Sequence, residues 1–373
     1  MNHKIYHIIF SVLCISLTLF SCTKENKDDK ITPNFDKRAM LENIGEQIII
    51  TSYTDLKLKS EEFDNALTLF NNKSDSINLN LLQISFKNLY KSWQACAAFE
   101  FGPAETESLR ANINTFPTDT NQINSNITSG TYNLETASNM DAKGFPAIDY
   151  LLFGSDFNKT LLDFNSENNF TNRKSYLASL STEIKNRTNK VQMGWLSSGS
   201  NYINTFKNNT GSDVGGSIGM LVNQLNYDFE LLKNSKIGVP LGKRTLGNAL
   251  PDKVESFYSQ QSLLLALENL KALENIYLGR NAQNIDGLGL DDYLDQIDAK
   301  YGNASLNQTI KDKFNSVKTK LAAVPHPLSQ AVILNATTVD QAYAELQQLV
   351  VLLKVDMPSA LGVLITYQDN DGD

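Results

Sequence analysis

The chain has 373 residues, with 33 lysines and arginines against 41 aspartates and glutamates and a formal net charge of −8. This acidic balance, without any basic cluster, excludes a phosphate-backbone partner, which demands grouped lysine and arginine; no nucleic acid is expected. There are three cysteines, Cys14, Cys22 and Cys96, and three histidines, His3, His7 and His326.

Residues 1–21 read as an export signal. Lys4 supplies a positive start, and residues 5–20 are almost wholly apolar. Leu19-Phe20-Ser21-Cys22 resembles a bacterial lipobox, so Cys22 is expected to become the acylated first residue of the mature chain. Each buried methylene contributes about 0.8 kcal/mol, and two or three acyl chains hold a protein to a membrane. A spanning anchor or an ordinary secretory signal is the alternative reading of the same run. Residues 22–35 read as a flexible tether, because Thr23–Lys30 offers no apolar side chain to bury. A lysine followed by acids resembles the surface-export signal of some Bacteroidetes lipoproteins. The expected location is the cell envelope, lipid-anchored at the outer membrane on its periplasmic or surface face. Loss of Lys4 leaves 32 basic against 41 acidic residues. Cys14 leaves with the signal and Cys22 is acylated, so Cys96 stands alone and no intrachain disulfide forms.

Helical periodicity dominates the remainder. Helices are expected over residues 37–70 and over 78–99, where Leu79, Leu82, Phe86, Leu89 and Trp93 step by three and four. Residues 101–134 are rich in Asn, Thr, Pro and Gly and read as an irregular, functional loop. Further helices are expected over 172–192 and 213–234. Residues 235–251, with Gly238, Gly242, Gly247, Pro240 and Pro251, read as a second irregular segment. Their glycines fit no phosphate-binding loop. Residues 252–278 read as one helix between Pro251 and Gly279. Residues 304–322 and 339–353 complete the set. No convincing strand pattern appears, so the class is all-α, as two packed four-helix-bundle-like domains. About 340 residues exceed the usual size of one core. Glycines across 194–217 place the boundary near 210, giving domains 36–210 and 211–373.

Five segments resemble the imelysin family in their order along the chain. They are Trp93–Pro103 (WQACAAFEFGP), Ile113–Ile123 (INTFPTDTNQI), Gly144–Gly154 (GFPAIDYLLFG), Ile237–Arg244 (IGVPLGKR) and Val254–Ser262 (VESFYSQQS). The third resembles the family's GxHxxE motif, with Gly144 kept, Pro146 in place of the histidine and Asp149 in place of the glutamate. The resemblance implies two helical bundles with a cleft between them, in an exported protein linked to iron acquisition. Part of the family is described as metallopeptidases, and part as iron-uptake components without demonstrated proteolysis.

In the family pattern, His and Glu three residues apart share a helix face and could share a metal. Here Pro146 has no side-chain lone pair, and Asp149 reaches one methylene less far. His326, between Pro325 and Pro327, is the one imidazole after signal removal. A catalytic zinc ordinarily takes three protein ligands, so a hydrolytic zinc site is not expected. Without any ligand, Pro146 reads as the first residue of a short helix, Asp149 as a first-turn acid and Gly154 as its close. Other polar candidates for a cleft are Glu100, Glu105, Arg110, Glu255, Tyr258 and Ser259. Glu255 and Ser259, four apart on a helix, would share a face and meet near Asp149. Asp149 and Glu255 are the candidate ligands for a hard cation, which takes oxygen donors, or for iron. Glu255 reads equally as a first-turn acid. Asp369–Asp373 resembles the opening of a calcium loop but lacks its bidentate twelfth residue, and reads as a solvated tail.

The expected function is therefore a non-catalytic lipoprotein binding a ligand or metal in an interdomain cleft for nutrient, and specifically iron, uptake, together with an outer-membrane receptor. A metallopeptidase with an altered metal site and a surface interaction protein with a vestigial cleft are the alternatives.

Overall fold

The structure is a computed structural model that describes residues 34–367. The export signal, Cys22, the tether through residue 33 and the acidic tail Asp369–Asp373 lie outside the described residues. By its contacts the chain divides into Met1–Phe35 and Asp36–Asp373, and the fold below is that of the second unit.

The class is all-α. The strands among the described residues are Lys300–Tyr301 and Ala304–Ser305, one antiparallel pair. Eight helices carry the architecture: α1 (Ile50–Asn72), α2 (Ser76–Trp93), α3 (Gly144–Phe153), α4 (Phe170–Trp195), α5 (Ser217–Leu231), α6 (Ser262–Tyr277), α7 (Leu306–Ala322) and α8 (Ala336–Val351). Helix α1 packs between α2 and α4, and the short α3 lies against α4. In the second half α7 packs on both α6 and α8, and α5 touches α6 and α8. The halves meet where α2 crosses α6, joined at the rim by Lys91 and Glu268 at 2.8 Å.

Local chemistry explains these elements. Asp75 starts α2 by accepting a hydrogen bond from the Asn78 N–H at 2.9 Å, a cap of about 1 kcal/mol. The stripe Leu79, Leu82, Phe86, Leu89 and Trp93 is the buried face of α2. Where the first half closes, Phe101 stacks on Phe206 at 5.7 Å and meets Trp195 edge-on at 5.8 Å. Tyr277 and Phe314 pair at 5.9 Å in the second half. No helix among the described residues is long and apolar enough to cross a membrane.

Several boundaries differ from the sequence reading. Helix α2 stops at Trp93, because Gln94 and residues 96–99 turn inward and are buried. The segment 101–134 is not irregular throughout. It holds the short helices Pro103–Thr106, Leu109–Ile113 and Thr120–Ser129. Asp119 caps the last of these by accepting from the Asn121 and Gln122 N–H groups. Beyond α5 the helix runs on through widened π-type turns, Leu232–Gly238, into Val239–Leu241 and ends at Gly242, φ 90°. The expected boundary near 210 falls between α4 and α5, a stretch with one short helix, Tyr202–Asn208.

The largest correction concerns residues 252–278. The α-helix in it is Ser262–Tyr277; Pro251–Lys253 is a single 3-10 turn, and residues 254–261 form a loop, with Ser256 at φ 55° and Gln260 at φ 60°. These left-handed residues break the helix that the apolar spacing suggests.

Candidate functional site

The altered motif begins at Gly144, whose φ of 72° lets the chain turn against the carbonyl of Ile113. Helix α3 starts there, so Pro146 is its third residue, not its first, and Asp149 lies in mid-helix beyond the first turn. Asp149 is 1% exposed. Its carboxylate faces the 254–261 loop and accepts the Tyr258 N–H at 2.9 Å and the Ser259 N–H at 3.2 Å. The Ser256 hydroxyl lies 3.5 Å away and itself contacts the Ser259 hydroxyl at 2.6 Å. Successive backbone N–H groups make an anion-binding concavity, and here the anion is the protein's own aspartate. Burial raises the Asp149 pKa to about 6, against the opposing pull of these hydrogen bonds. Beside them is a 210 Å³ pocket walled by Pro146, Asp149, Phe116, Pro117, Ser256 and Tyr258, among others.

Glu255 is 1% exposed and belongs to the same loop. Its ammonium partner is Lys236 at 3.0 Å, also buried. Gln94 and Asn114 donate to its other oxygen at 3.2 and 2.9 Å, and Lys236 also donates to Gln94 Oε1. Tyr90 donates to Asn114 Oδ1 at 2.8 Å, and burial, then Glu255 and Asp149, push its hydroxyl well above the ordinary range. Glu255 is therefore the loop's inner anchor. It shares no helix face with Ser259, because residues 254–261 are not helical.

Next to this network is a second pocket, 380 Å³, between residues 97–116 and 227–236. Glu100, Arg110, Asn114, Tyr227, Asp228 and Lys236 stand in its wall. Arg110 Nη2 meets Asp228 Oδ1 at 3.1 Å and donates to the Ala97 carbonyl. Its guanidinium lies 5.2 Å from the Tyr227 ring centroid. Asn269 holds the other Asp228 oxygen at 2.7 Å. The backbone N–H of Arg110 donates to both Glu100 oxygens at 3.2 Å. Burial raises the Glu100 pKa, with Arg110 opposing.

The structure thus brings Tyr258 and Ser259 to Asp149, places Glu255 behind them, and sets Glu100 and Arg110 in the neighbouring pocket. Glu105 is exposed and lines neither pocket. His326 is exposed, far in sequence from either wall. Cys96 is buried and its thiol is pushed well up by burial. Sequence reasoning missed Asp228, Lys236, Gln94 and Asn114. The one available signal was an acid set among apolar residues: Asp228 stands between Leu225 and Phe229 on a buried helix.

The metal that the family motif implies does not fit these residues. Pro146 offers no donor, and the oxygens of Asp149 already accept from the loop. The oxygens of Glu255 face an ammonium and two amides. Among the described residues no three His, Cys, Asp or Glu side chains group as metal ligands.

A family profile described as imelysin matches residues 49–355. The chain belongs to the imelysin family. A curated relative, the iron-regulated protein A of Synechococcus elongatus, is 23% identical over 297 residues, covering 76% of this chain and 74% of its own. Two solved structures share the imelysin fold. One, from Parabacteroides distasonis, is provisionally assigned as an iron-regulated protein A precursor. It superposes with a TM-score of 0.70 at 19% identity, over 86% of this chain and 95% of its own. The other, an imelysin-like protein of Psychrobacter arcticum, gives 0.68 at 18%, over 89% and 97%.

Proposed function

We propose that this imelysin is a non-catalytic binding protein linked to iron supply, which takes an organic ligand in the 380 Å³ pocket. The observation that carries this reading is the fate of the motif. Asp149 is committed to the backbone of the 254–261 loop, and Pro146 supplies no ligand, so the altered motif is a structural latch beside a pocket. The pocket of Glu100, Arg110 and Asp228 keeps fixed polar groups beside apolar walls, the usual make-up of a small-molecule site. The link to iron comes from the name of the Synechococcus relative. Lipidation at Cys22, an outer-membrane location and a receptor partner belong to the same proposal, and rest on the lipobox and on family resemblance.

The test is growth under iron limitation. A strain lacking the protein should grow poorly, and excess iron should restore it. Complementation with Ala111→Trp, which fills the pocket from an exposed position of its wall, should fail. Complementation with Asp149→Asn should succeed. Full rescue by Ala111→Trp would move the function away from this pocket, and chelator-sensitive proteolysis by the purified protein would restore the peptidase reading.

A further inference from the structure

The wall of the 380 Å³ pocket carries Glu100, Arg110, Asp228 and Lys236, and the Glu100 and Arg110 side chains do not pair with each other. Among the described residues Glu100 has no salt-bridge partner, although Arg110 lines the same wall. The reason is geometric. Asp228 and the Ala97 carbonyl hold Arg110 by its Nη2, and the guanidinium is stacked at 5.2 Å over Tyr227. Glu100 is held by the Arg110 backbone N–H at 3.2 Å. Each group is fixed and each keeps capacity. A guanidinium has five N–H donors in a rigid fork, and those on Nε and Nη1 have no partner among the described residues. An ionised carboxylate has about four lone-pair sites, and here one shared N–H occupies it.

Resting on the reading of this pocket as the binding site, we propose that its ligand is a small zwitterion, an amino acid with an apolar side chain. Its carboxylate would take the open edge of Arg110, and its ammonium would take Glu100. Ala97, Ala111, Phe116 and Leu231 supply apolar wall for the side chain. A bare anion fits worse, because it leaves Glu100 beside it without an ammonium partner. A bare cation leaves the Arg110 donors unsatisfied. Burial raises the Glu100 pKa, and an ammonium partner would relieve that desolvation. Fixing both charged groups before the ligand arrives lowers the ordering cost of binding.

The experiment is calorimetric titration of the full chain in detergent with L-leucine, 4-methylpentanoate and 3-methylbutylamine. These probes carry both charges, the carboxylate alone and the ammonium alone. L-Leucine is expected to bind about tenfold or more tighter than either half, as for loss of one charge-assisted hydrogen-bonded contact. Glu100→Gln should weaken L-leucine by a similar factor and bind 4-methylpentanoate no more weakly than wild type, since it removes a like charge. Ala111→Trp should abolish both. Equal affinity for L-leucine and 4-methylpentanoate would make this an anion site and overturn the proposal. So would L-leucine binding that Glu100→Gln or Ala111→Trp leaves intact, or no heat at millimolar L-leucine. If L-leucine fails while Ala111→Trp still fails to support growth on low iron, the pocket stands and only the ligand class is lost.

Discussion

Asp149 is a buried carboxylate whose cost and use can be separated by pH. Its folded pKa lies near 6, above the ordinary aspartate value, because burial outweighs the hydrogen bonds from Tyr258 and Ser259. Between about pH 4 and 6 the folded state holds a proton that the unfolded chain has released. Stability from this group is therefore present at the acid end of that window and lost as pH rises through 6. Asp149→Asn removes the titration. The stability difference between wild type and Asp149→Asn should shift against wild type by about 2–3 kcal/mol on going from pH 4 to 7. Urea midpoints measured at both pH values check this, and a difference that does not change would show that Asp149 is not desolvated. Glu255 behaves differently because its partner is a buried ammonium. Glu255→Ala would strand Lys236 and should cost about 3–5 kcal/mol. Glu255→Gln keeps an acceptor but removes the same charge, so it should cost nearly as much. A much smaller loss in Glu255→Gln would mean that hydrogen bonding, and not the ion pair, holds the loop.

Elements with a continuous apolar stripe were legible in the sequence, and the 254–261 loop was not. In α2 the stripe from Leu79 to Trp93 is both the pattern and the buried face. Residues 254–261 show the same apolar spacing, yet Asp149 and Glu255 bind the loop to partners more than a hundred residues away. Local propensity says nothing of such partners, and tertiary contacts override it. Arg110 and Glu100 were legible as polar residues near a family segment. Asp228 and Lys236, which complete their pocket, were hidden in segments read as bundle helix and glycine-rich loop. The start of α3 is a case where one backbone position decides an element. Gly144 sits at φ 72°, and a Cβ there would lie 2.4 Å from the Ile113 carbonyl oxygen. Gly144→Ala should therefore destabilise the protein by more than about 2 kcal/mol. Chemical denaturation reads it directly, and a midpoint shift near zero would show that the turn can relax.

At the scale of the molecule, the family resemblance anticipated the all-α fold, because the five segments keep their order. It could not tell whether the motif still binds a metal, since that depends on where the oxygens of Asp149 point. The proposed envelope location has its own test. Cys22→Ala should release the protein from the membrane fraction, and retention after a carbonate wash would make residues 5–20 a spanning anchor instead. Metal content distinguishes a motif that latches a loop from one that holds an ion. Purified full-length protein is loaded with zinc or ferrous iron, passed through a desalting column and measured by atomic emission. Far less than one ion per chain is expected, equal in wild type and Asp149→Asn. One tightly held ion per wild-type chain, lost in Asp149→Asn, would contradict the latch.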